Sequence, residues 1–167
     1  MLRRTLPIAV LVTALLAGCG GGDTGPQTKE GFISAADGVC ENVQSDIQSA
    51  GAADPQTPQQ VAEADNVLAD LYGKLADDLA KVRLPEVGTA RRQAQTFVAS
   101  IRRADPLVEK LRAASKDFVT AADSKDRQAI LTAGNEVRKA LDAFRAARAT
   151  SDRLALQYGL NICGNLG

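Results

Sequence analysis

Three cysteines, Cys19, Cys40 and Cys163, carry the most versatile side chains of this sequence, since a thiol can take a lipid, a second sulfur, a metal or an oxidant. The rest of the inventory narrows that choice. The chain has no histidine and no tryptophan, and its one methionine is Met1. Without imidazole there is no Ser-His or Cys-His nucleophile, no His-ligated zinc or haem, and no Glu-x-x-His di-iron set of the kind helical bundles hold. A hydrolase or glycosidase made from carboxylates alone needs two acids facing one cleft with shifted pKa values. The acids here fall mostly at outward positions. Asp70 with Lys74, and Asp77 with Lys81, stand at the i, i+4 spacing of surface ion pairs worth only ~0.3 to 0.5 kcal/mol each. No catalytic residue, metal or cofactor is assigned, and no enzymatic activity is expected.

Cys19 stands apart from the other two. Arg3 and Arg4 form a basic start, and Leu6 to Leu16 are apolar but for Pro7 and Thr13, too short a run to span a membrane permanently. The run closes on Leu16-Ala17-Gly18-Cys19, which resembles the lipobox of bacterial lipoproteins. That resemblance implies a signal peptide over residues 1–18, directing export by the Sec or the twin-arginine route and cut off by a signal peptidase, and a mature chain whose first residue, Cys19, carries diacylglycerol and palmitate-type acyl chains. At about 0.8 kcal/mol per buried CH₂, several chains hold a protein at a bilayer without a spanning helix. Residues 19–29, with Gly20-Gly21-Gly22 and Gly25-Pro26, read as a flexible tether, leaving residues 30–167 as the folded domain.

With Cys19 assigned to lipid, Cys40 and Cys163 are left as a pair in an oxidising compartment and are expected to form a disulfide. A redox-active pair would want Cys-x-x-Cys spacing or a basic neighbour that lowers a thiol pKa, and neither is present. The remaining cluster is basic: Arg91 and Arg92 recur as Arg102 and Arg103, eleven residues on, which nearly superimposes them on one helix face. The plain account of such a stripe is a solvated face, and the more specific one is a partner-binding surface. Losing Arg3 and Arg4 turns the 20-to-20 balance of basic and acidic residues into 18 against 20, a formal charge of −2. Nucleic acid, which is held by clustered Lys and Arg, is therefore not an expected partner.

Four segments with 3-then-4 apolar spacing must position these residues. The first places Ile33, Ala36, Cys40, Val43 and Ile47 on one face. Thr57-Pro58-Gln59-Gln60 starts the second as a capping box, with a stripe from Val61 through Leu68, Leu71, Leu75 and Leu79 to Val82. The third keeps one register from Val87 to Ala122 across Asp105-Pro106, with Ser115 its one polar member, so a single helix kinked at the proline is expected in place of two. Ser124 is expected to cap the fourth, whose stripe runs from Ile130 through Phe144 and Ser151 to Tyr158, where Gly159 ends it and Leu160 packs back. Short links between helices give an up-down-up-down four-helix bundle, an all-α fold.

Phe32-Ile33, Ala36-Asp37 and Cys40 near the start, with Tyr158-Gly159-Leu160 and Cys163-Gly164 at the end, resemble a family of small, largely uncharacterised actinobacterial lipoproteins and secreted proteins. The resemblance implies an all-helical extracytoplasmic domain with a terminal disulfide and supplies no catalytic residue. The expected role is a non-enzymatic envelope module that meets a protein or cell-wall partner beside the membrane. The alternative is a carrier for a hydrophobic small molecule held between helices, against which the alanine-rich seams leave little room.

Overall fold

The computed structural model describes residues 27–50 and 55–166. These form four α-helices, α1 (Lys29–Ala50), α2 (Pro58–Lys81), α3 (Gly88–Ser124) and α4 (Arg127–Tyr158), and a closing 3-10 turn (Cys163–Asn165), with no strand among them. α1 packs on α2, α2 on α3 and α3 on α4. Each boundary has a local cause. Thr28 Oγ1 accepts the Gly31 amide at 3.0 Å to open α1. At α2 the capping box forms in both directions, Gln60 N donating to Thr57 Oγ1 at 3.2 Å and Thr57 N to Gln60 Oε1 at 3.2 Å, with Pro58 in the first turn. α3 passes through Pro106 without a break.

Two expected details differ. Ser124 does not cap α4: it ends α3, its hydroxyl donating back to Ala121 O at 2.6 Å. The chain turns at Lys125 (φ 58°), and Asp126 is the cap, its Oδ1 accepting the amides of Gln128 and Ala129 at 2.8 and 3.2 Å. A carboxylate at a helix N-terminus also meets the positive end of the helix dipole, which a hydroxyl does not match. Nor do the i, i+4 pairs of α2 form. Lys74 reaches across to Asp46 of α1 (2.6 Å), Asp70 to Arg112 of α3 (2.6 Å), and Lys81 takes Asp78 (2.7 Å). For Lys74 and Asp70, a charge presented by the neighbouring helix is within reach and displaces the local one.

The core is threaded by Phe32, Leu75, Leu79, Phe97, Val108, Phe144 and Tyr158, none more than 2 % exposed. It stops part-way along the helices: no residue of α2 before Ala69, and none from 116 to 143, is fully buried.

Candidate functional site

The two sequence motifs near the chain's ends meet in one place. Cys40 of α1 and Cys163 are joined by a disulfide, Cα to Cα 5.1 Å. Three residues before Cys40, the Asp37 carboxylate receives the amides of Asn161, Ile162 and Cys163 at 3.1 to 3.2 Å, gathering the donors of the chain's last turn as a cap gathers those of a helix start. Phe32 meets Tyr158 edge to face, centroids 5.5 Å apart, with the Lys29 ammonium 5.0 Å from the Tyr158 ring centre. Gly159, at φ 103°, donates to Leu156 O at 3.1 Å while Leu160 donates to Ala155 O at 2.9 Å, the paired bonds of a Schellman close. The tail then lies flat on α4: a Cβ at Gly164 would stand 2.5 Å from Leu156 Cγ and 3.2 Å from the Asp152 carbonyl oxygen. Between the first and last helices the clasp and the Phe32–Tyr158 contact stand in for close backbone packing, since no Cα of α1 comes within 8 Å of α4.

The clasp delivers Leu166 into a cleft between α1, α2 and α4. Its apolar wall includes Val43, Ile47, Leu68, Leu71, Leu75 and Phe144, with Ile101 at the back. It encloses about 30 Å³, the share of one water molecule. The polar wall is Tyr72, Arg148 and Asp152. The Tyr72 ring stands edge-on to Phe144, centroids 5.0 Å apart. Its hydroxyl is buried without a hydrogen-bond partner. The Ser151 hydroxyl beside it donates to Ala147 O at 3.4 Å and stands near enough to act on the phenol without meeting hydrogen-bond geometry. Burial pushes the phenol up to about 12, with Ser151 and Arg148 acting the other way. Leaving such a donor unmatched costs about 1–3 kcal/mol. Arg148 Nε lies 3.7 Å from Asp152 Oδ2, one helical turn on. Burial raises the Asp152 carboxyl above its ordinary value and Arg148 pulls it back.

A second polar contact sits farther along the bundle. The Ser115 hydroxyl, wholly buried on α3, donates to Asp65 of α2 in a short bond. Burial raises the Asp65 carboxyl, and the serine lowers it. Ser115 and Ser151 are the polar members of otherwise apolar stripes, which is the signal in the sequence for both contacts.

Arg91, Arg92, Arg102 and Arg103 all lie exposed on α3. Arg91 Nη1 donates to the Glu86 carbonyl at 3.0 Å and so braces the link from α2, while Arg92 Nη2 donates to Thr89 Oγ1 at 3.1 Å within the first turn of α3. Eleven residues of helix separate the pairs by ~16 Å, about twice the screening length at physiological ionic strength, so they act as two basic spots on one helix. Cys19 lies outside the described residues. Among those residues no group of three or more acids or cysteines is arranged to hold a metal, and no helix is long and apolar enough to cross a membrane. Comparison with protein-family models, with curated proteins and with solved structures finds no match to the chain.

Proposed function

We propose that this protein is a non-enzymatic, extracytoplasmic lipoprotein of the actinobacterial type described above. On this reading it is held to the cell membrane by acyl chains on Cys19 and binds a protein or cell-wall partner through its helical surface. The observation that carries the reading is the Cys40–Cys163 disulfide: such bonds persist in oxidising, extracytoplasmic compartments, and with both sulfurs engaged Cys19 is left for the lipid. The four helices run up-down-up-down in this proposal, and α3 bends at Pro106, whose ring crowds the Arg102 carbonyl one turn back. In support, Asp65 meets Ser115 and Asp70 meets Arg112, an order that runs oppositely along α2 and α3.

Membrane fractionation tests the anchor: Cys19→Ser is expected in the medium or soluble extract, and retention in washed membranes overturns it. Pull-down from envelope extract tests the partner. Charge reversal at Arg102 and Arg103 is expected to weaken capture more at low salt than at high, because exposed charges are screened. Capture indifferent to those arginines and to salt removes them from the interface. The carrier alternative draws on the cleft alone, whose present volume admits no sizeable ligand.

A further inference from the structure

We propose that the cleft beside the clasp is a binding site for a small neutral amphiphile, a short aliphatic chain ending in one hydroxyl or carbonyl, which displaces the Leu166 side chain and hydrogen bonds to Tyr72 Oη. This goes beyond the surface reading and does not depend on it.

Four observations converge. Tyr72 is only 7 % exposed, and its hydroxyl is the unmatched polar atom of a mostly apolar cleft. A ligand oxygen would supply the missing partner, and the phenol can either donate or accept. The charges acting on the phenol are Arg148, paired with Asp152, and a further acid, Asp105; a neutral head group carries no charge to be repelled there, while a carboxylate would meet two acids with the one arginine already engaged. The rest of the wall is hydrocarbon from Leu68, Leu71, Leu75 and Ile101, which suits a chain and offers nothing to a second polar group. Finally, the cleft is closed by side chains and not by backbone. Away from the Phe32–Tyr158 contact no Cα of α1 comes within 8 Å of α4, and Ile47, itself 38 % exposed, and Leu166 line the cleft there. Withdrawing the Leu166 side chain adds a leucine's volume to the space of about 30 Å³ already there. Leu166 thus occupies the place of the ligand's chain, three residues beyond the disulfide that limits how far it can retreat.

The probe is 1-hexanol, with hexanoate as its charged counterpart, titrated by amide-resolved NMR into the full chain carrying Cys19→Ser so that no detergent competes. Saturable shifts at Tyr72, Ser151 and Leu166 are expected, with hexanoate at least about tenfold weaker. Tyr72→Phe is expected to weaken hexanol roughly tenfold, the equivalent of one hydrogen bond. Leu166→Ala should tighten it, and Leu166→Phe should block it while leaving the helical spectrum intact. Absence of saturable shifts in both the parent and Leu166→Ala overturns the proposal, as does binding that is equal in folded Tyr72→Phe. Should Tyr72→Phe fail to fold, equal hexanol binding by Leu166→Phe and the parent overturns it alone.

Discussion

The clasp end and the far end of this bundle are built from the same amphipathic pattern and are fastened differently. At the clasp, contacts join residues more than 120 positions apart: Cys40 to Cys163 and Asp37 to the amides of 161–163. At the far end, where α3 turns into α4, the fastenings are local: Lys125 in a left-handed turn, Asp126 capping its own helix, Ser124 on Ala121. No side chain from 116 to 143 is fully buried, and Leu131 is 54 % exposed. A continuous apolar stripe therefore does not guarantee a continuous core. The stripe is buried where a further layer covers it, and the first helix with the tail supplies that layer at one end.

The largest effect that tests this contrast is reduction of the disulfide, or Cys40→Ser with Cys163→Ser. Closing a loop of 123 residues is worth up to ~5 kcal/mol by chain entropy, and the melting temperature is expected to fall by several degrees in calorimetry. Amide exchange should rise in α1 and the tail while residues 116–143 change little; an even rise along the chain would break the comparison. Next come two glycines whose replacement by alanine should act with opposite sign. Gly159→Ala forces a side chain into φ 103° and is expected to cost about 1–2 kcal/mol in denaturant unfolding. Gly134→Ala, inside α4 with Phe118 at an ordinary 3.5 Å, should gain about 0.5–1 kcal/mol. Equal signs would show that the ends respond alike.

The smallest effect concerns pH. Asp65 has its folded pKa raised above 3.8 by burial. Just above 3.8 the folded state therefore binds more protons than the unfolded one, and this group's contribution to stability falls as pH rises through its folded pKa. Asp65→Asn, which keeps an acceptor for Ser115, should flatten that fall in a series of melting curves at increasing pH. A slope that stays the same removes Asp65 as its source.

What the sequence made legible was what is decided locally. The Thr57 box, the Gly159 stop, the unbroken register across Pro106 and the cysteine pairing all follow from residues within a few positions or from elimination among three thiols. The choice of Asp126 over Ser124 turned on where α3 yields to the left-handed Lys125, a matter of one residue that two adjacent capping side chains leave ambiguous. The ion pairs of Asp70 and Lys74 were decided by which helix lies alongside. Tyr72 is in register with the α2 stripe; that it lines a cleft depends on how α1, α3 and α4 pack around α2, which no single helix encodes. Asp37, an acid beside an apolar stripe, showed its role only when the tail arrived.

The clasp also orders events in time. Its two halves are 123 residues apart in sequence, so neither the disulfide nor the Asp37 contacts can form until residues 161–163 have come back to α1. Helices α2, α3 and α4, whose contacts are between chain neighbours, are free to associate earlier. Until the clasp closes, α1 is held by its contacts with α2 and α3, and Cys40 stays an unpaired thiol.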